Sequence, residues 1–138
     1  GLISLREAIW AANNTTNVDA STPDTINFAI GVGGSSQTIF VNAGGLPTIT
    51  DELVLDASSQ GVAGLITLDG TNASGSTGGI VLRTDDSTIR GFVVQNFADE
   101  GIEVDGSTGF GDNNIIEVKI GKFNFFRPFS VTEFCIVL

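Results

Sequence analysis

The chain has few of the residues on which many protein functions depend. Its single cysteine, Cys135, excludes an intrachain disulfide, so stability has to come from packing and backbone hydrogen bonds. Only 6 Lys and Arg stand against 16 Asp and Glu, and nucleic acid is not expected as a partner, because neutralising phosphates takes clustered basic residues. The apolar runs are far shorter than the roughly 20 residues of a membrane helix, so this segment is not expected to insert into a membrane.

Short apolar runs separated by turn-forming residues make up most of the sequence. The chain has 18 Gly, and many Ser, Thr, Asn and Asp lie between short runs of Ile, Val and Leu. This composition is typical of short strands joined by tight turns, and little helix is expected. With 41% hydrophobic residues, a chain of 138 residues is long enough for one ordered domain.

One phrase occurs twice. Gly-Ile-Val-Leu at residues 79–82 is echoed by Gly-Ile-Glu-Val at residues 101–104, which start 22 positions later. Such self-similarity predicts a solenoid, in which each repeat buries its apolar face against its neighbours. We therefore predict an all-β fold, a parallel β-helix in which Ile80 stacks on Ile102 and the residues two positions further along stack likewise. A βαβ arrangement lacks its helices, whereas an antiparallel β-sandwich remains the alternative.

Further short strands are expected along the chain. Each is bounded by Gly, Pro, Asn or Ser, which are residues that end strands in turns. The expected strands are Thr25–Phe28, Thr38–Val41, Leu53–Asp56, Ile66–Asp69, Gly79–Leu82, Ser87–Gly91, Phe92–Val94 and a last one from Gly101. A turn is expected at Thr84–Asp86.

A short helix is expected at the N-terminus. Ser4 and Glu7 have the spacing of a capping box, in which each side chain caps the backbone amide of the other residue. The apolar stripe of the helix consists of Leu5, Ala8, Ile9 and Ala12. The helix should end at Asn13 and Asn14. We predict that it caps the exposed apolar end of the solenoid.

The same N-terminal residues carry a family resemblance. Residues 3–13, Ile-Ser-Leu-Arg-Glu-Ala-Ile-Trp-Ala-Ala-Asn, resemble the opening signature of the CSLREA-type bacterial right-handed parallel β-helix repeat proteins, with Ile3 where the signature has Cys. Similar phrases follow in the same order, at residues 24–28, 46–50, 55–61, 68–70 and 87–94. Together the phrases cover residues 4 to about 121.

The resemblance implies a fold and a location, but no reaction. It implies a pectin-lyase-like right-handed parallel β-helix with a short N-terminal capping α-helix, extracellular or held at the bacterial cell surface. The expected function is adhesion or polysaccharide binding without catalysis. The expected partner is an extracellular polysaccharide or a host or cell surface, and no cofactor is implied.

The last residues depart from the family pattern. Five of the ten Phe lie in the last 16 residues, and residues 122–138 carry no repeat of the strand phrases. This atypical hydrophobic tail is interpreted either as a foreign cap or as the product of a shifted reading frame. We divide the chain into a cap helix and loop at 1–22, solenoid coils at 23–121 and the tail at 122–138, and interpret it as a fragment or a processed form. The open end of the solenoid predicts end-to-end self-association.

A catalytic constellation of the enzymes that share this fold is not found. Hydrolases of the polygalacturonase type carry a Gly-His-Gly motif, and this chain has no His, which excludes their chemistry. A calcium-dependent polysaccharide lyase abstracts a proton with an Arg or Lys on a strand, and Arg83 and Arg90 are the candidates. The competing interpretation is that both are exposed, solubilising arginines. We assign no catalytic, cofactor-binding or metal-binding residue; a lyase remains the alternative function, and a structural spacer the third.

Three acidic pairs are interpreted as turn residues. Two converging carboxyls are needed for calcium binding or glycoside hydrolysis, but adjacent strand residues point opposite ways. At turns, Asp is favoured for its own backbone hydrogen bonds. The pairs are Asp51-Glu52, Asp85-Asp86 and Asp99-Glu100.

Three remaining patterns have ordinary interpretations. Trp10 is either a sugar-stacking platform or a packed residue of the cap helix, and packing is the commoner fate of a lone Trp. Cys135 begins a prenylation-like C-terminal box that lacks an upstream basic run, and we take the match as accidental. N-glycosylation sequons are also expected by chance in a chain rich in Asn and Thr. They occur at Asn13, Asn14 and Asn72.

Overall fold

The chain folds into strands that pair in parallel, preceded by one short helix. The computed structural model describes residues 2–18, 22–75, 77–107, 109–121, 125–129 and 134–137, and of the last two ranges it describes the backbone. The elements are α1 (Leu5–Asn13), β1 (Asp24–Asn27), β2 (Gln37–Phe40), β3 (Leu53–Asp56), a 3₁₀ helix (Ala57–Gln60), β4 (Ile66–Asp69), β5 (Ile80–Leu82), β6 (Thr88–Gln95), β7 (Glu100–Asp105), β8 (Asn114–Ile120), β9 (Phe125–Phe129) and β10 (Phe134–Val137). Every strand pair among the described residues is parallel, which excludes the antiparallel sandwich and confirms the predicted parallel β-helix.

The strands form a solenoid of about four turns, which are called coils below. The first coil contains β1 and β2, the second β3, β4 and β5, the third β6 and β7, and the fourth β8 and β9. β10 comes after the fourth coil and pairs with β8. β5, β7 and β9 form a three-stranded sheet, and the other seven strands form the second sheet. Strands of successive coils therefore lie side by side, about 4.8 Å apart.

Buried side chains stack in columns from coil to coil. Ile80 pairs with Ile102 and Leu82 with Val104, and all four are buried, so the stacking predicted from the repeated phrase is confirmed. A second column on the inner face of the larger sheet contains Ile26, Leu55, Ile89 and Ile116. Each coil thus buries its apolar face against the next one.

The spacing of 22 residues does not hold for the other coils. Paired residues are 29 positions apart for Asp24 and Leu53, and 26 for Ile66 and Phe92. The pairing between strands is continuous through these stretches, so the difference in length lies in the loops between them. The number of residues in a coil therefore varies while the stacking of the strands is kept.

One strand turns a corner of the solenoid. β6 is continuous where the sequence predicted two strands, Ser87–Gly91 and Phe92–Val94. Its first half pairs with β3 and its second half with β4. Between the halves, Gly91 has a φ of +81°, and the register with β8 shifts between Arg90 and Val93. A bulge of this kind bends the strand without ending it.

The expected N-terminal helix is confirmed, and α1 packs on the first coil. The Ser4 hydroxyl accepts the Glu7 N–H at 3.2 Å, and the Glu7 carboxylate accepts the Ser4 N–H at 2.9 Å, which completes the predicted capping box. The helix residues buried in the core are Leu5, Ile9 and Ala12. Within the described part of the chain, no helix is long and apolar enough to cross a membrane.

Asn13 fastens the end of α1 to the first coil. Its Nδ2 donates to the Thr48 carbonyl at 2.7 Å, and the Thr50 N–H donates to its Oδ1 at 3.0 Å. The side-chain amide therefore pairs with the coil much as the backbone of a neighbouring strand would. Arg6 adds a hydrogen bond from Nη2 to the Gly45 carbonyl.

Two strands continue the stack into the segment that the sequence set apart as a tail. β9 pairs with β7, and β10 pairs with β8, both in parallel. Residues 122–138 therefore contain strands, although the sequence there carries no repeat of the strand phrases. The domain boundaries at residues 22 and 121 stay a prediction.

Gly91 offers a test of the corner. A Cβ at Gly91 would lie 2.4 Å from the Ser58 N, in a backbone with φ of +81°. We expect Gly91→Ala to lower the free energy of unfolding by more than the roughly 1–3 kcal/mol of backbone strain alone. Gly34→Ala, with φ of +77° and no atom within 4 Å, should cost about 1–2 kcal/mol.

Gly33→Ala completes the series. It has neither a positive φ nor an atom within 4 Å, so its free energy of unfolding should stay within about 0.5 kcal/mol of wild type. Urea unfolding of the three variants measures these differences. Equal losses for Gly91→Ala and Gly34→Ala would contradict the close approach of β6 to the preceding coil.

Candidate functional site

Three carboxylates at strand ends share one arrangement, called the Asp clamp below. Asp56, Asp69 and Asp105 are the last residues of β3, β4 and β7, and each has a Ser or Thr two positions later. One carboxylate oxygen accepts the backbone N–H of that Ser or Thr, at 2.8 to 3.0 Å. The other oxygen accepts from a side chain at a neighbouring coil. Each clamp therefore ends a strand in a turn and ties two coils together.

Arg90 is held by the clamp at Asp56. Its Nη2 donates to Asp56 Oδ2 at 2.6 Å, and Glu117 occupies the matching position on the next coil. The hydrogen bond from Arg90 lowers the pKa of Asp56, and the bonds from Ser58 lower it further despite partial burial. The same contact raises the pKa of Arg90. This Arg is therefore a fixed cation.

Arg83 is held by the clamp at Asp105. Its Nη2 and Nε both donate to Asp105 Oδ2, at 2.5 and 2.9 Å. Hydrogen bonds from Ser107, followed by those from Arg83, lower the pKa of Asp105 to about 2. Both sequence-predicted arginines thus point outward, with 45% and 44% of the side chains of Arg83 and Arg90 exposed, but each is ion-paired.

Asp69 forms the most buried clamp and is only 7% exposed. Burial raises its pKa, but hydrogen bonds from Thr71, Gln95 and Asn96 outweigh this effect and lower the pKa to about 2. The amides of Gln95 and Asn96 each donate to Asp69 Oδ2 at 2.9 Å. No role was predicted from the sequence for these three Asp. The pattern Asp-x-Ser/Thr at the end of a strand, which all three share, is the feature of the sequence that indicates a clamp.

In two of the three acidic pairs, the Asp carboxylate accepts hydrogen bonds from backbone N–H groups. Asp51 Oδ1 accepts the Glu52 N–H at 3.0 Å. Asp85 Oδ1 accepts the N–H groups of Gly111 and Asp112, at 2.7 and 2.9 Å, and so supports the turn of the next coil. Asp51 thus makes the local backbone hydrogen bond expected of a turn residue, whereas Asp85 bonds to the backbone of the next coil instead of its own turn.

The third acidic pair differs from the expectation. The carboxyl groups of Asp99 and Glu100 lie close enough to share a proton, and this contact raises the pKa of Glu100, helped by burial and by the nearby charges of Asp99 and Glu103. The two side chains therefore converge, because the pair lies where the chain enters β7 and does not follow strand alternation. Among the described residues, no group of three or more His, Cys, Asp or Glu is placed to hold a metal ion.

A cleft of about 550 Å³ lies at the corner of β6 and is called the corner cleft. Its lining residues are Ser58, Ala63, Gly64, Arg90, Gly91, Phe92, Glu117, Val118 and Lys119. Arg90 contributes its clamped guanidinium, and Glu117 and Lys119 add charges of opposite sign from the next coil. The corner cleft therefore combines an apolar floor with paired charges.

A second cleft, of about 360 Å³, lies beside the end of α1 and is called the cap cleft. Its lining residues are Asn13, Asn14, Thr15, Thr16, Asn17, Asp51 and Glu52. All of them carry amide, hydroxyl or carboxylate groups, which suits a ligand rich in hydrogen-bonding groups. From the sequence, Asn13 and Asn14 were predicted to end the helix and matched sequons, but no binding role was predicted for them.

Trp10 lies on the exposed face of α1, and the expectation that it packs into the cap is wrong. It is 64% exposed, whereas Ile9 beside it is fully buried. The physical reason is the helical period, since Trp10 falls outside the stripe formed by Leu5, Ile9 and Ala12. The sugar-stacking alternative for Trp10 is therefore the one that its position allows.

The other sequence motifs fall in different places. Asn13 uses both ends of its amide to hold the first coil, whereas Asn14 and Asn72 are exposed. Cys135 lies in β10 opposite Ile115, and its side chain lies outside the described residues. These positions bring none of the motifs together with the arginines.

Comparison with family models, with curated proteins and with solved structures found no match to this chain.

Asp69 gives the clearest pH prediction. Asp69→Asn should lower the free energy of unfolding at neutral pH by about 1–3 kcal/mol, because the charged acceptor of several hydrogen bonds is lost. The pKa of about 2 in the folded protein lies below the value of about 4 expected when unfolded, so the stabilisation is present above pH 4 and disappears as the pH falls toward 2.

Urea unfolding over a pH series measures the difference between wild type and Asp69→Asn. The difference should shrink between about pH 4 and pH 2. Asp86→Asn is the matched control, since Asp86 is exposed and its carboxylate has no hydrogen bond among the described residues. A difference for Asp69→Asn that does not change with pH would contradict the clamp.

Proposed function

We propose that this chain is the N-terminal part of an exported or cell-surface β-helix protein of the CSLREA type, which contacts polysaccharide or a cell surface without acting on it. The ordered sequence phrases support this proposal, together with the parallel solenoid and its N-terminal helix. The same proposal takes the solenoid as right-handed and pectin-lyase-like. The partner is an extended polymer outside the cell.

One observation carries the proposal of polymer contact: the outward positions of successive coils line up in columns, and most of the side chains in them are polar. One such column contains Asn27, Asp56, Arg90 and Glu117, and a second contains Thr38, Thr67, Val93 and Lys119. Because the coils are about 4.8 Å apart, a polymer lying along the solenoid meets an outward side chain of each column at regular steps. An extended, repeating ligand suits such a surface better than a compact one.

The charge of the chain favours a neutral polymer. The net charge is −10 and the isoelectric point is about 4.1, so an anionic polymer such as a polyuronate is repelled. The two outward arginines do not offset this repulsion, because each is already paired with a carboxylate. Neutral polysaccharides can instead bind through hydrogen bonds to the polar columns.

The alternative function is a calcium-dependent lyase that uses Arg83 or Arg90 as its base. A base has to release its proton before it can accept one from the substrate. The Asp56 carboxylate raises the pKa of Arg90. Arg83 is held by two hydrogen bonds to Asp105 Oδ2. The clamps therefore favour binding over proton abstraction.

Affinity electrophoresis tests the proposed function. The protein should be retarded in native gels cast with at least one neutral polymer of a panel of galactomannan, mixed-linkage β-glucan and arabinan. It should not be retarded by polygalacturonate or alginate, and EDTA should change nothing. The polymer recovered from the gel should keep its length.

Other results of this experiment point elsewhere. Calcium-dependent shortening of polygalacturonate that is lost on Arg83→Ala or Arg90→Ala would favour the lyase. Retardation by none of the polymers, neutral or anionic, would contradict polysaccharide binding and favour the spacer.

The C-terminal end of the stack generates a separate prediction. β9 and β10 have no strand on their outer side among the described residues, and such edges favour pairing with another chain. Elution in size-exclusion chromatography should therefore shift toward larger species as the protein concentration rises. A monomer over the whole concentration range would contradict end-to-end self-association.

A further inference from the structure

The cap helix presents its single Trp to solvent one helical turn before the residues that line the cap cleft. Trp10 and Asn14 are four residues apart and so lie on the same side of the helix. The Asn14 Nδ2 donates to the Trp10 carbonyl at 2.7 Å, so the residue that carries the ring is tied to a residue that lines the cap cleft. Trp10 is 64% exposed, so its ring is open to contact with a ligand, and an aromatic face of this kind packs well against an apolar ligand face.

The walls of the cap cleft are held in place before any ligand arrives. Asn17 Nδ2 donates to Asp51 Oδ1 at 3.2 Å and to the Glu52 carbonyl at 3.3 Å, and its Oδ1 accepts the Asp24 N–H at 3.2 Å. Asn13 is tied to the first coil by two further bonds. A cleft with fixed walls loses little conformational entropy on binding.

The cleft also contains hydrogen-bonding groups that are available to a ligand. Within the described part of the chain, the Thr16 hydroxyl, the Glu52 carboxylate, Asp51 Oδ2 and Asn14 Oδ1 have no hydrogen-bond partner. Most of these groups are acceptors, so they suit a ligand that donates from several hydroxyls. The two carboxylates and the negative end of the α1 dipole disfavour an anion.

We propose that the cap cleft and Trp10 together form a subsite for one unit of a neutral saccharide. The apolar face of a sugar ring covers the Trp10 ring, and its hydroxyls donate to Glu52, Asp51 and Asn14. The volume of about 360 Å³ lies within the range of small-ligand sites. This inference rests on the proposed polysaccharide-binding function and names the place and the ligand chemistry.

Fluorescence makes the subsite directly observable. The chain has one Trp and no Tyr, so its emission reports Trp10 alone. Titration with oligosaccharides of the neutral polymer that retards the protein in gels should shift the emission to shorter wavelength and saturate. Trp10→Ala should weaken retardation in the gel at least tenfold, and Trp10→Phe, which keeps a ring, should restore part of it.

Matched variants separate the ring from its surroundings. Thr16→Val removes one hydroxyl at constant size and should weaken binding several-fold. Phe110→Ala removes another exposed aromatic side chain, 48% exposed, outside the cap cleft and should leave binding unchanged. Unequal effects of Trp10→Ala and Phe110→Ala are the expected result.

The outcomes distinguish failure of the subsite from failure of the function. Retardation that is unchanged in Trp10→Ala, with no change in emission, overturns the subsite and leaves polysaccharide binding standing. An absence of retardation by every polymer overturns both. A change in emission with calcium chloride but not with saccharide overturns the subsite, because it makes the cleft a cation site.

Discussion

The structure depends on one constraint: the apolar face of each coil is buried only by the coils beside it. Ile80 can be buried by Ile102 only if the two strands run in parallel and in register. The constraint also accounts for two local features of the stack. At the N-terminus, α1 supplies Ile9 to the core, and Asn13 supplies the hydrogen bonds that a preceding strand would supply. At the corner of the solenoid, the bulge at Gly91 lets β6 pair with both β3 and β4 of the preceding coil.

The Asp clamps add polar ties to this apolar stacking, and they also decide the fate of the two outward arginines. In Asp56 and Asp105, one carboxylate oxygen accepts a hydrogen bond from the turn that follows the strand, and the other accepts from an Arg of a neighbouring coil. Arg90 and Arg83 are therefore stabilising cations in the first place. The surface left for function consists of polar columns and clefts, which is why contact with a neutral polymer is the function that the arrangement supports best.

Much of this fold was predictable because it follows from local patterns. Turn residues delimit strands, so Leu53–Asp56 and Ile66–Asp69 have the predicted bounds, and the repeated phrase fixes one pair of coils. The rest depends on contacts between distant residues. The continuity of β6 depends on Gly91 meeting Ser58, 33 positions earlier, and the partners of Asp69 lie on the next coil. The exposure of Trp10 follows from the helical period, which places it outside the buried stripe of α1. The general preference of Trp for packing predicts the opposite.

The central claim is that the coils stack in parallel and in register, and spin labels test it most directly. Val81 and Glu103 pair in register and alternate with the buried residues of β5 and β7. Labels at these two positions, in a Cys135→Ser background, should show strong dipolar broadening compared with either single label, because paired strands are about 4.8 Å apart. Spectra that equal the sum of the two single-label spectra would contradict the account, since no other arrangement of the chain considered above places these two residues side by side.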